Sequence, residues 1–134
     1  MYKRQIVAGA APAHLVFEDD ACIAFLDARP LFPGHTLVIP RAHRATVRDV
    51  PRAELEPLFG GAQRVSLALE RGLASQGTFV GLNDRVSQSV PHVHVHVVPR
   101  RKGDGLRGFF WPRLKYASDE EARAVAAAIR AAVR

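Results

Sequence analysis

Hydrophobic positions follow two different periods along this chain. Between His14 and Ala42 they fall into three short runs, "HLVFED", "ACIAFLDA" and "HTLVIPRA". The turn around Asp19 and Asp20 separates the first pair and the Pro33-Gly34 turn precedes the third, a pattern that predicts an antiparallel meander of three strands. From Arg52 to Leu73 the apolar residues Leu55, Leu58, Phe59, Ala62, Val65, Leu67, Leu69 and Leu73 approach a helical period. One long helix ending near Gly72 is expected, although Gly60-Gly61 weakens its early turns. "GTFVGLND" and "HVHVHVVP" supply two further strands, joined by the polar loop from Asp84 to Ser89. The closing "SDEEARAVAAAIRAAVR" reads as a helix with Ser118 or Asp119 as its N-cap, acidic residues in the first turn and arginines later, as the helix dipole favours. A sheet with one long helix and a C-terminal helix makes the fold class α+β.

The run at residues 92–98 carries the chemistry. Val90, His92, His94, His96 and Val98 share one parity, and Pro91, Val93, Val95 and Val97 share the other. On a strand the valines can enter a core while the imidazoles line the opposite face, roughly 6–7 Å apart. Pro91 and Pro99 bracket the run and limit the expected strand to about seven residues. Three of the chain's six histidines thus stand on one short, stiff element. Alternating imidazoles on a strand are good zinc ligands, so this segment by itself leaves a metal site and a catalytic site both open.

Composition narrows the setting. The 134 residues suit a single domain, and 48% hydrophobic with 24% charged residues is ordinary for a soluble globular protein with one core. No apolar run approaches the length needed to span a bilayer, and "MYKRQIVAGAAPAH" lacks the hydrophobic segment of a signal peptide. A cytoplasmic location without membrane association is the expectation. The single cysteine, Cys22, can form no intramolecular disulfide and no cysteine-rich metal site. A net charge of +6 favours anionic partners, but the charges are dispersed and no nucleic-acid motif accompanies them. Small phosphorylated ligands fit this charge as well as RNA does, and no nucleic-acid partner is expected.

Two separated motifs then agree. "HVHVHVV" resembles the histidine triad motif, and "FLDARPLFPGHTLVIPRAH" resembles the upstream signature of the histidine triad (HIT) family of nucleotide hydrolases and transferases. The resemblance runs from residue 8 to residue 100 within one domain spanning 1–134, leaving 101–134 as a C-terminal extension. It implies an antiparallel five-stranded sheet with helices on one side, usually a homodimer, acting on nucleotides and needing no cofactor. An N-terminal Cys-x-x-Cys that binds structural zinc in some members is replaced here by "YKRQIVAG", so no metal is expected.

The resemblance also assigns roles. His94 matches the nucleophile, flanked by His92 and His96, with His35 as the upstream histidine that joins the group. A neutral imidazole suits the task, since it is nucleophilic and well populated near its ordinary pKa of about 6.5. Attack on phosphorus would give a covalent phosphoramidate and split one displacement into two. Gln88 and Ser89 match the family's Gln-Ser pair, whose amide and hydroxyl can donate to phosphate oxygens. Asp27 matches the acid that contacts ribose hydroxyls, Leu26 borders the base and Asn83 matches the phosphate-side asparagine. Two departures stand out. Asn83 lies two places nearer the triad than usual, and Ser87 replaces a glycine before Gln88. Read alone, Asp27 is a strand-end acid, Asn83 a turn residue, and Gln88 and Ser89 ordinary loop residues. His14 and His43 are read as surface or structural.

These readings point to hydrolysis of a nucleoside phosphoramidate, dinucleoside polyphosphate or related nucleotidyl donor, with purine nucleotides expected. The competing reading is a nucleotide-binding regulatory protein with weak or vestigial hydrolysis. "RRKGDGLRGFFWPRLKY", residues 100–116, mixes cations with Phe109, Phe110, Trp111 and Tyr116. It reads as a surface segment docking its aromatics on the core or a dimer partner, or as a cap whose cations meet leaving phosphates.

Overall fold

The computed structural model describes residues 13–106 and 113–133. The chain divides after Asp104 into two compact units. In the first, five strands form one sheet: β1 (Leu15–Glu18), β2 (Cys22–Leu26), β3 (Thr36–Pro40), β4 (Gly77–Gly81) and β5 (Val95–Arg100). Their order is β1-β2-β3-β5-β4 and every neighbouring pair is antiparallel. The α+β class and the five-stranded antiparallel sheet follow the expectation. The first three strands are the meander read from their turns: His35 N–H donates to the Phe32 carbonyl across Pro33-Gly34, where Gly34 has φ +103. An added Cβ there would come within 2.6 Å of Leu73 Cδ1.

Helix α1, Arg52–Leu73, packs across one face of this sheet. The period seen in the sequence supplies its contact side, since Leu58, Ala62, Val65 and Leu69 are buried with Cys22, Ala24, Val38, Val95 and Val97. Gly61 is what lets the helix approach. A Cβ at that position would lie 2.8 Å from Cys22 Sγ and 3.3 Å from Val38 Cγ1, whereas one at Gly60 meets nothing within 4 Å. The paired glycines that weaken the helix by propensity therefore differ in purpose, one being required by packing and the other not. At the C-terminal end Ala74 takes a left-handed conformation, and the Arg101 guanidinium donates to the Leu73 and Ala74 carbonyls, at 2.5 and 2.7 Å. Those carbonyls have no intrahelical partner, so a cation suits them. The opposite sheet face buries Ile23, Phe25, Leu37 and Ile39.

β5 departs from its expected bounds at both ends. It begins only at Val95, so His92 and His94 precede the regular strand, because Val93 N–H donates to the Arg44 carbonyl, outside the sheet ladder, at 2.7 Å. It also runs through Pro99. β3 accompanies β5 only over Val95–Val97, while β4 pairs with it from His96 to Arg100. Pro99 therefore sits where β5 has one neighbour, and a missing N–H is tolerated at such a half-edge.

In the second unit, helix α2, Asp119–Ala132, is capped as its sequence predicts. Ser118 Oγ accepts the Glu121 N–H at 3.1 Å, and the Glu121 carboxylate in turn accepts the Ala117 N–H at 2.5 Å. Residues 107–112, with Phe109, Phe110 and Trp111, lie outside the described residues. Among the described helices none is long and apolar enough to cross a membrane.

The two adjacent glycines should respond oppositely to alanine. Gly61→Ala is expected to destabilise by about 1–3 kcal/mol through overpacking, and to lose part of that cost in a Cys22→Ala background. Gly60→Ala should be neutral or stabilise by up to about 1 kcal/mol. Urea unfolding midpoints of these variants, each against its parent protein, check both.

Candidate active site

The sheet face opposite α1 carries the histidines. Cross-strand register sets Phe25 opposite Leu37, Leu37 opposite His96, and His96 opposite Gly81, so these four residues form one row across that face. His35 enters from the turn before β3 and His94 from the extended segment before β5. The rings form a chain: centroids of His35 and His96 are 5.1 Å apart, and those of His96 and His94 are also 5.1 Å apart.

Hydrogen bonds to main chain decide where the protons sit. His94 Nδ1 lies 2.9 Å from the His92 carbonyl, which can only accept, so Nδ1 carries the hydrogen and the neutral ring keeps its in-plane lone pair on Nε2. His35 shows the reverse. Its Nδ1 accepts the Leu31 N–H at 3.1 Å, so the proton is on Nε2, which donates to His96 Nδ1 at 2.9 Å. His96 in turn must hold its own proton on Nε2. Two backbone groups thus give His94 and His96 opposite tautomers on neighbouring rings.

Asp27 joins this group. Its Oδ1 accepts the Arg29 N–H, and its Oδ2 lies 3.7 Å from His35 Nε2. Burial is the foremost influence on His35 and holds its pKa below the usual imidazole value; the Asp27 carboxylate raises it and His94 lowers it further. Desolvation outweighs the acid because the ring is only 3% exposed, so His35 is held neutral.

Asp27, His35 and His96 bring three potential metal-ligand atoms within 4.8 Å of one another. The hydrogen bonding does not fit a metal. A metal on His35 Nε2 would require the proton on Nδ1, which would then face the Leu31 N–H donor.

The remaining predicted residues divide. His92 is 1% exposed, and its ring donates through Nε2 to the Pro40 carbonyl at 3.1 Å, edge-on to exposed His43. It meets His94 through its carbonyl, so its ring is not among the three that line up. Gln88 is used at both ends of its amide: Nε2 donates to the Ala45 carbonyl at 2.6 Å and Oε1 accepts the Arg85 N–H at 2.9 Å. It ties the 83–90 loop to the segment after β3. Ser89 is exposed and Asn83 half-buried in the same loop, and Leu26 is 38% exposed beside Asp27 at the end of β2. Ser87 has φ +62 and Arg85 φ +69, both in the left-handed region. A glycine would adopt that conformation without strain at position 87, which gives the serine substitution its physical meaning.

The HIT domain profile matches residues 8–103. The chain belongs to the HIT family. A HIT-like protein of Mycobacterium tuberculosis, described as uncharacterized, is 40% identical over 103 residues, covering 75% of this chain and 72% of that protein. The asymmetrical bis(5'-nucleosyl)-tetraphosphatase of Schizosaccharomyces pombe is 39% identical over 83 residues, covering 60% of this chain and 46% of its own length. A zinc-bound histidine triad family protein of Mycobacterium smegmatis has a similar structure, with TM-score 0.75, 36% identity, and 98% and 96% of the two chains covered.

Other supports of the HIT site were not read from the sequence. The Leu31 N–H and the His92, Pro40, Arg44 and Ala45 groups act through main chain, for which residue type carries no signal. Asp84 was read only as loop. Its carboxylate accepts the Val47 N–H at 3.2 Å and pairs with Arg48 at 2.9 Å, fastening the two loops together. Arg44 is held by a two-pronged contact with Glu54 of α1, at 3.1 and 2.5 Å.

The lowered pKa of His35 predicts acid sensitivity with a definite sign. Below about pH 6.5 the unfolded chain takes up a proton at this residue that the folded chain refuses, so stability falls as pH falls until the folded pKa is also passed. Above that value both states are neutral here and the contribution vanishes. His35→Gln should flatten this part of a stability–pH profile measured by urea unfolding; an unchanged slope would place the acid sensitivity elsewhere.

Proposed function

We propose that this HIT protein is a nucleotide hydrolase that attacks the α-phosphorus of a nucleoside phosphoramidate, dinucleoside polyphosphate or related nucleotidyl donor, with purine nucleotides as substrates. The observation that carries the reading is the bond from His94 Nδ1 to the His92 carbonyl. It leaves the nucleophilic lone pair on Nε2 and provides an acceptor for the positive charge that builds on the ring as a bond to phosphorus forms. The tetraphosphatase among the relatives supports nucleotide chemistry within the family.

In this reading His94 Nε2 forms the bond to phosphorus while the bond to the leaving group breaks and its electron pair departs with that group. His96, with its proton on Nε2, hydrogen-bonds the departing atom. His35 is a positioning residue that sets the His96 tautomer. Water then displaces His94 from phosphorus, releasing the nucleoside monophosphate and the neutral ring. Asp27 and Leu26 take the nucleoside end, and Ser89 and Asn83 the phosphate oxygens. Gln88 shapes the loop that presents them, and His92 acts on His94 through its carbonyl. A homodimer in the cytoplasm completes the proposal, supported by family resemblance.

Two experiments test the reading. With α-labelled substrate and a neutral or alkaline quench, label should remain on the wild-type protein and be absent from His94→Ala, whose turnover should fall by at least about a thousandfold. Trapping on His96, or near-normal turnover of the variant, would refute the assignment. Activity should also survive chelation, because imidazole attack replaces metal-activated water. Loss of turnover with EDTA and its return with zinc would instead align this chain with the zinc-bound mycobacterial relative.

A further inference from the structure

His94 stands on a part of the chain that the sheet ladder does not hold. β5 begins at Val95, and β3 pairs with it only from there to Val97. The residues just before Val95 take their position from other contacts, and these converge on the irregular segment after β3. The Pro40 carbonyl accepts from the His92 ring at 3.1 Å, the Arg44 carbonyl accepts the Val93 N–H at 2.7 Å, and the Ala45 carbonyl accepts the Gln88 amide at 2.6 Å. The second of these bonds bears on His94 directly. The Val93 N–H and the His92 carbonyl belong to one planar peptide group, so holding its nitrogen side fixes the plane of the oxygen that accepts His94 Nδ1–H at 2.9 Å. A bond on the N–H side also polarises the group and strengthens its oxygen as an acceptor.

Arg44 lies in no helix or strand, and its side chain supplies the anchor. Its Nε and Nη2 reach the two carboxylate oxygens of Glu54 at 3.1 and 2.5 Å. Glu54 stands in the first turn of α1, which is packed on the core through Leu58, Ala62, Val65 and Leu69. The two side chains are only 32% and 31% exposed. A planar guanidinium gripping both oxygens sets orientation as well as distance, which the point charge of a lysine does not. A line of contacts therefore runs from α1 through Glu54, the Arg44 side chain, the Arg44 carbonyl and the His92–Val93 peptide to His94 Nδ1.

We propose that Arg44 and Glu54 are positioning residues for His94: their ion pair holds the Arg44 carbonyl against the Val93 N–H and so keeps the His92 carbonyl aimed at His94 Nδ1. Neither touches the reacting atoms. The effect on rate rests on the nucleophilic role proposed for His94; the effect on geometry does not. With the pair broken, the His92–Val93 peptide tilts more freely and His94 admits the tautomer protonated on Nε2, which turns no lone pair to phosphorus.

Arg44→Lys and Glu54→Gln test this in the full-length protein, since both keep the Arg44 carbonyl and remove the two-pronged contact. Solvent exchange of the Val93 amide should quicken about threefold to fivefold in each, the range that a partly exposed ion pair governs, while the ladder amides of β3 and β5 change less. Imidazole nitrogen NMR signals at a pH where the ring is neutral should show His94 gaining the Nε2–H form. Unchanged Val93 exchange, a His94 tautomer the same as in the wild type, or equal acceleration at Val93 and the ladder amides would each overturn the proposal, the last by reducing the pair to general stability. In nucleotide hydrolysis kcat should fall by a similar factor with KM unchanged, and the double variant should be no slower than either single one, because both remove the same contact. Additive losses, or a change in KM alone, would also overturn it. The exchange and imidazole measurements need no substrate, so a protein without turnover would refute the nucleotide reading while these two signals still decide the role of the pair.

Discussion

Burial of Val93, Val95 and Val97 on the α1 side determines where the imidazoles go. Side chains alternate across a strand, so each valine that enters the core sends its neighbour to the opposite face. A slip of one residue between β5 and β3 would put His96 under α1 and the valines in its place, losing apolar burial and stranding polar rings together. The depth of α1 on the sheet is therefore also a condition of the site. Gly61 against Cys22 and Val38 sets that depth, and it lies on the face away from the histidines.

The site works through groups that are nearly all spoken for. His94 is oriented by a carbonyl, His35 by an amide, and Gln88 by both its neighbours in the chain fold. His94 and His35 are thereby each held in one tautomer by the folded main chain itself. The same hydrogen bonds weigh against metal binding. Residue types and spacing at Asp27, His35 and His96 would satisfy zinc, but the proton positions do not.

The polar connections are also structural devices. Arg100 and Arg101 might have served as phosphate-binding cations on composition alone. Arg100 is engaged by Asp104 at 2.6 and 2.9 Å, and Arg101 closes the end of α1. Of the two readings of residues 100–116, these contacts favour the surface segment for its first two cations. The 83–90 loop is tied down from three directions, by Asp84, Gln88 and the left-handed turns at Arg85 and Ser87. These contacts fix the loop that carries Ser89.

Much was legible in the sequence because it depends on local periodicity. Turn residues marked the meander, helical spacing marked α1 to within a residue of its end, and Ser118 announced α2. Resemblance to the family motifs brought Asp27, His35, His92, His94 and His96 into view as a group, of which the His92 ring turns to the Pro40 carbonyl. Two kinds of fact lay beyond it. Strand ends are settled by neighbours: Pro99 is a breaker by type, yet it sits inside β5 because β3 has already ended there. Proton positions are settled by backbone atoms that every residue shares, so no sequence letter distinguishes the carbonyl that makes His94 a donor at Nδ1 from the amide that makes His35 an acceptor. The sequence by itself brought His35, His94 and His96 forward as candidates; only the folded structure decided which nitrogen of each ring faces a main-chain partner, because that choice rests on how the backbone sets the Leu31 N–H and the His92 carbonyl against the rings.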